Sequence, residues 1–179
     1  MYTEKIEEIL SLNGIDQQSF NQKVYQTLIL GVFEVVCKEM KKQNARIIEK
    51  ENFRKHKNKA IAAKLIVQRY TGCQLPGDAY IFMADLLSAY FRTGAPRKTF
   101  DDSFRKDLTS KQKFQCAICK RRITSSSGHV DHIIPWDYVG DNLKDNYQML
   151  CETCNERKGT AAYFELSMLL LNKSNTNKT

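Results

Sequence analysis

No stretch of this sequence stays apolar long enough to cross a bilayer. The most apolar run, Leu28 to Cys37, is interrupted by Gly31 and Glu34, and it falls far short of the roughly 20 residues a membrane helix needs. No secretory leader is expected either, because Met1 to Ser11 carries Glu4, Glu7 and Glu8 where a leader has basic residues and then an apolar core. Neither Met1-Tyr2 nor the last residues offer a lipidation signal. The expectation is a cytoplasmic protein without membrane attachment, in which the glycosylation-type triplets at Asn172 and Asn177 go unused. Internal repeats are also lacking. Acidic residues are in the minority: 28 Lys and Arg against 20 Asp and Glu leave a net charge of +8 over 179 residues. That excess points to a polyanionic partner. The hydrophobic content of 42% is ordinary for a soluble chain, and the length allows one domain or two small ones.

Six cysteines in a reducing compartment need a use other than disulfides. Four fall into two knuckles, Cys-Ala-Ile-Cys at 116–119 and Cys-Glu-Thr-Cys at 151–154. A two-residue spacer lets both sulfurs of a knuckle turn toward one ion, and four soft thiolates suit tetrahedral zinc. Cys116, Cys119, Cys151 and Cys154 are therefore the expected structural zinc ligands, which leaves Cys37 and Cys73 as expected buried thiols. The segment from Lys120 to Leu150 is longer than the loop of a simple zinc ribbon, so it is expected to carry an insert. Within it, Val130 to Ile134 is rich in β-formers and stops at Pro135, which places Asp131 and His132 on a short strand. A carboxylate beside an imidazole suits hydrolysis: the Asp holds a hard divalent ion and the His takes a proton from water. Adjacent strand residues point to opposite faces, so the two can serve one phosphate only where the strand twists or ends. His129 is expected to be partly exposed, Trp136 to pack, and Asp137, Asp141 and Asp145 to be turn residues.

The string of paired cysteines, Val130-Asp131-His132-Ile133 before Pro135, Asn146 to Cys151, and Cys154-Asn155 ahead of Lys158-Gly159 resembles the HNH endonuclease family over about residues 100–165. The resemblance implies a ββα-metal core that cleaves phosphodiester bonds to 5′ phosphate and 3′ hydroxyl ends. It makes Asp131 a ligand of the catalytic metal and His132 the general base. Asn146 takes the place of the central asparagine that braces the loop and orients the base. Asn155 stands where the family name expects a histidine, and its amide oxygen, as a second ligand, favours Mg²⁺ or Mn²⁺.

Residues 1–93 read as a helical domain. Thr3 starts a short helix that stops at Asn13-Gly14, and a longer one follows from about Asp16 to Lys42. A charged run covers Lys41 to Lys64, a helix ends near Thr71-Gly72, and Asp78 is a candidate cap for a helix from Ala79 to Phe91. Leu28 to Val36 is apolar nearly all round, which implies burial on several sides or a partner interface. This half carries no catalytic motif. It is expected to serve dimerisation, docking of a larger partner or clamping of DNA. Gly94 and Pro96 mark a linker at 94–99, followed by a nuclease domain at 100–171 and a polar, disordered tail at 172–179.

Arg105, Lys106, Lys111, Lys113, Lys120, Arg121, Arg122 and Lys158 offer contacts to a nucleic-acid backbone, which give affinity without reading sequence. The fold class expected is α+β, with an all-helical first half and a zinc-stabilised ββα-metal second half. The function expected is a Mg²⁺ or Mn²⁺ dependent endonuclease on double-stranded DNA, by analogy an effector in bacterial defence or restriction. The competing readings are a non-catalytic zinc module that binds nucleic acid, and a nuclease of RNA or branched DNA.

Overall fold

The computed structural model describes residues 2–94 and 96–160. Over these the chain is α+β, with a helical first part and one two-stranded antiparallel sheet. Helix α1 (Tyr2–Leu12) is followed by the Asn13-Gly14 turn, with Gly14 at φ 54. Asp16 precedes α2 (Gln17–Lys42), and its carboxylate accepts from the Ser19 N–H at 2.7 Å, satisfying a donor that a helix start leaves without a partner. The charged run divides into α3 (Arg46–Lys55) and α4 (Lys59–Thr71), with Asn58 capping α4 through the Ile61 N–H at 3.1 Å. Gly72 closes α4 in the left-handed region at φ 67, a conformation glycine adopts at no steric cost.

Three details differ from the sequence reading. Asp78 does not cap α5 (Ala79–Phe91); its carboxylate accepts from the Tyr25 hydroxyl at 2.9 Å and ties α5 to α2. Cys37 is buried, but Cys73 lies exposed in the loop after Gly72. In the apolar run of α2, Ile29, Leu30, Phe33 and Val36 are buried, whereas Leu28 and Val35 are exposed.

Helix α5 supplies Met83, Leu86 and Leu87 to the first core, against Phe33 and Val36 of α2 and Ala63 and Val67 of α4. Ile134 and Val139, the latter on the short α7 (Trp136–Val139), belong to the same core. The helical core thus reaches past the expected linker and holds the chain that leaves the sheet. Tyr138 of α7 edges onto Phe33 with ring centroids 6.0 Å apart, and its hydroxyl donates to Glu34 of α2.

The second core gathers Cys116, Ile118, Ile123, Met149 and Leu150 under α6 (Asp102–Lys111). Asp101 caps α6 by accepting from the Phe104 N–H at 2.8 Å. Strands β1 (His129–His132) and β2 (Tyr147–Leu150) pair with Asp131 opposite Gln148 and His132 opposite Tyr147, and α8 (Glu152–Lys158) packs on β1. Among the described residues the sheet has no third strand. Gln112 takes that place on β2: its amide accepts from Met149 N–H at 2.7 Å and donates to Met149 C=O at 3.0 Å. The expected helix at 161–171 and tail at 172–179 lie outside the described residues. No helix of the described residues is long and apolar enough to cross a membrane.

Candidate functional site

The four knuckle cysteines come together. Their sulfurs all lie within 4.8 Å of one another, and Cys119 and Cys151 approach to 3.7 Å. That separation is far above the roughly 2.05 Å of a disulfide, so the group is one that could hold a metal ion. Local backbone explains the convergence. Lys120 takes φ 59, turning the first knuckle back so that its N–H reaches Cys116 C=O, while Cys116 N–H donates to Arg121. Ala117 N–H donates to Met149 C=O and sets this knuckle beside the end of β2, where Cys151 begins the second. Burial raises the Cys119 and Cys154 thiols. At Cys116 burial also acts upward, but N–H donors from Cys151, Cys119 and Ile118 outweigh it and pull the thiol below its usual value, toward the thiolate a metal needs.

The sheet that this cluster clips carries Asp131 and His132, and alternation sends them to opposite faces. On the α8 face, the Asp131 carboxylate accepts from Gln148 at 2.9 Å and forms an ion pair with Lys158 at 3.0 Å. Lys158 also donates to the His132 carbonyl at 2.7 Å, and its side chain is 1% exposed. This corrects the expectation that Lys158 meets a phosphate: its ammonium is inside the protein, spent on Asp131 and the β1 backbone. Asn155 is partly buried on α8, one turn before Lys158 and thus on the helix face that addresses Asp131.

On the other face, His132 is buried at 2% exposure. Its Nε2 lies 2.9 Å from Asp141, its ring stands edge-on to Tyr147, and Phe100 packs against both rings. Nδ1 is buried and has no hydrogen-bond partner among the described residues. Asp131 and His132 side chains therefore share no partner; Lys158 links them only through the His132 backbone. Asn146 lies just beyond this pair and is fully engaged. Its amide accepts from Ile134 N–H at 2.8 Å and donates to Ile134 C=O at 2.9 Å, while its own carbonyl accepts from Ile133 N–H. The side chain thereby acts as one more rung of the β1–β2 ladder and fixes the chain as it leaves His132.

Asp141, a turn residue on the sequence reading, is where the site gains a member that motif reading misses. Oδ1 faces His132 and accepts from the Tyr147 hydroxyl at 3.0 Å, and Oδ2 accepts from Trp136 Nε1 at 3.1 Å and Lys98 N–H at 2.9 Å. Burial alone would raise this carboxyl, but the donors from Lys98, His132, Trp136 and Tyr147 hold it down at about 2. Nothing in the sequence separates Asp141 from Asp137 and Asp145, since only the loop's path brings one of the three to the imidazole. Trp136 is more than packing, because its indole N–H is one of these donors.

The expected basic contacts divide. Lys106, Lys111, Lys113, Lys120, Arg121 and Arg122 are exposed and form no ion pair among the described residues. Arg105 is a correction: its guanidinium is partly buried and donates to the Ser125 and Gly128 carbonyls, tying α6 to the loop before β1.

A family model described as HNH endonuclease matches residues 116–161, the segment that holds both knuckles, β1, β2 and α8. The CRISPR-associated endonuclease Cas9 of Corynebacterium diphtheriae is 35% identical over 63 residues, which is 35% of this chain. The match covers 6% of that relative. No solved structure matches. The motif, the clustered cysteines and the family match fall on the same stretch of chain, and the protein carries, at residues 116–161, a domain of the HNH endonuclease family.

Proposed function

We propose that this protein is a metal-dependent endonuclease that hydrolyses phosphodiester bonds of DNA, chiefly double-stranded, with His132 as general base. The observation that carries the reading is the position of Asp131 and His132 on the last two residues of β1, a strand clipped by the cysteine cluster, inside the HNH match. The relative bears the name of a CRISPR-associated endonuclease, which supports the reaction class and an effector role in bacterial defence. Residues 1–93 serve as a helical module for dimerisation, partner docking or clamping of DNA, joined through 94–99 to the nuclease part at 100–171.

Zinc is the ion proposed for Cys116, Cys119, Cys151 and Cys154. The 3.7 Å between two of the sulfurs matches the edge of about 3.8 Å that a tetrahedron with Zn–S bonds of about 2.3 Å has. Asp131 and Asn155 are proposed to hold a second, hard ion, Mg²⁺ or Mn²⁺, for which oxygen donors are the preferred ligands. Asp131 already neutralises a cation, the Lys158 ammonium, so the donor set fits positive charge and Lys158 gives way when the ion enters. Such an ion supplies charge stabilisation to a phosphorane and a departing oxygen.

His132 takes a proton from a water whose oxygen bonds to phosphorus. The bond to the 3′ oxygen breaks and that oxygen takes a proton from solvent water, while His132 later returns its own to solvent, leaving 5′ phosphate and 3′ hydroxyl ends. Asn146 keeps the base in place through Ile134, and Lys106, Lys111, Lys113, Lys120, Arg121 and Arg122 hold the nucleic-acid backbone.

The test is plasmid cleavage with Mg²⁺ or Mn²⁺ supplied, by wild type and His132→Ala. A loss of about 10²- to 10⁴-fold in the variant is expected of a general base. Equal cleavage by both, or none by either, favours the second reading, a non-catalytic zinc module that binds nucleic acid. The burial of His132 and the pairing of Asp131 with Lys158 are what give that reading its weight. RNA and branched DNA tested beside the plasmid decide the substrate.

A further inference from the structure

We propose that Asp141 is the positioning residue of the nuclease centre: its carboxylate takes the Nε2 proton of His132 and so leaves Nδ1 as the bare, basic nitrogen. This rests on His132 being the general base. Three features of the geometry carry it. First, Asp141 Oδ1 lies 2.9 Å from Nε2, with the imidazole 3% and the carboxylate 9% exposed, so water competes little for the pair. Second, the carboxylate is locked by donors on both oxygens, from Tyr147 on Oδ1 and from Trp136 and Lys98 on Oδ2. Surrounded by donors it stays ionised and can only accept, so the proton between it and the imidazole belongs to Nε2. Third, Nδ1 is buried and meets no donor or acceptor among the described residues. A buried polar atom left without a partner is costly unless something outside the protein serves it, and the water to be deprotonated is such a partner.

The arrangement does two things for the base. It selects the tautomer, because an imidazole with Nε2–H has its lone pair on Nδ1. It also stabilises the product of proton transfer: once Nδ1 takes the proton of the attacking water, both ring nitrogens carry hydrogen, and the positive charge sits beside a fixed carboxylate. A carboxylate that orients a catalytic imidazole in this way acts through it and does not touch substrate.

The experiment compares wild type, Asp141→Asn, Asp141→Glu, Trp136→Phe and His132→Ala in full-length, zinc-loaded protein. Single-turnover cleavage is read beside the nitrogen NMR signals of the imidazole that disappear in His132→Ala. Asp141→Asn is expected to lower kcat by about 10²- to 10⁴-fold with KM changed by less than about threefold. It is also expected to move the His132 proton from Nε2 toward Nδ1, since an amide can donate where the carboxylate could only accept. Asp141→Glu restores the carboxylate and recovers at least about tenfold of the lost kcat. Trp136→Phe removes one donor to Oδ2 and leaves the carboxylate in place, so it lowers kcat by less than about tenfold, short of the loss in Asp141→Asn. The proposal is overturned by wild-type His132 carrying its proton on Nδ1, by Asp141→Asn retaining kcat, or by Trp136→Phe losing as much as Asp141→Asn, which would make the carboxylate a loop brace. Full cleavage by His132→Ala overturns the base assignment itself, a result distinct from the other three. The NMR arm reads the tautomer even in a variant without activity.

Discussion

At the scale of single residues, Lys158 and Asp141 decide how the two halves of the Asp-His pair behave. Lys158 places a buried ammonium on Asp131, and a buried charge whose partner is removed costs several kcal/mol. Asp131 retains some access to water, which softens that cost. Lys158→Met is expected to destabilise the protein by about 2 kcal/mol without divalent ions, and Mn²⁺ is expected to restore more of the loss than it adds to wild type. Urea midpoints with and without Mn²⁺ check this; equal Mn²⁺ effects in both proteins would mean that no ion takes the place of the ammonium. Asp141 sets an acid limit. A carboxyl depressed by folding contributes its full stability above its unfolded pKa of about 3.9 and loses it as pH falls toward the folded value, here about 2. Between pH 6 and pH 2.5 the wild type is expected to lose about 2 kcal/mol more than Asp141→Asn, read from urea midpoints across that range.

At the scale of elements, the small sheet stands on side chains more than on its own ladder. Two strands of four residues are marginal alone, and β1 and β2 are completed by the Gln112 amide on one edge, the Asn146 amide at the end and the cysteine cluster at the first knuckle. Chelation of the ion proposed for the cysteines is therefore expected to unravel α6, the knuckles and α8 together. The core of α2, α4 and α5 draws none of its residues from that cluster. Far-UV circular dichroism with chelator is expected to lose a minor part of the helical signal, with metal release in step. A complete loss of helix would mean that the first core depends on the ion. The amphipathic positions, the helix start at Asp16 and the Asn13-Gly14 and Gly72 stops were readable because each is a local signal within a few residues. Asp78 looked the same in sequence and does otherwise, because Tyr25, distant in the chain, claims its carboxylate.

At the scale of the whole molecule, the net charge of +8 has an exposed outlet in Lys106, Lys111, Lys113, Lys120, Arg121 and Arg122 along α6 and the first knuckle. Backbone contacts release counterions, so DNA affinity should fall steeply with salt. Arg121→Ala is expected to weaken binding alike for unrelated sequences and to reduce the slope of log K against log salt by about 1. Binding titrations of two unrelated duplexes over a range of salt check it, and a slope unchanged from wild type would remove Arg121 from the contact surface. The first core also matters at this scale, since Ile134 and Val139 are buried in it and anchor the segment that carries Asp141 back toward His132.

The sequence by itself determined the ingredients with short-range signatures: helices from periodicity, caps and stops, a two-knuckle thiol cluster from its spacing, and a strand bearing Asp131 and His132 from β-formers that end at a proline. Those follow from chemistry acting within a few residues. Only the tertiary structure decided that Lys158 and Arg105 turn inward, that Cys73 stays exposed, and that Asp141 is the loop carboxylate chosen for the imidazole. Each of these depends on which distant backbone or side chain is brought within about 3 Å, and a linear pattern holds no record of that distance.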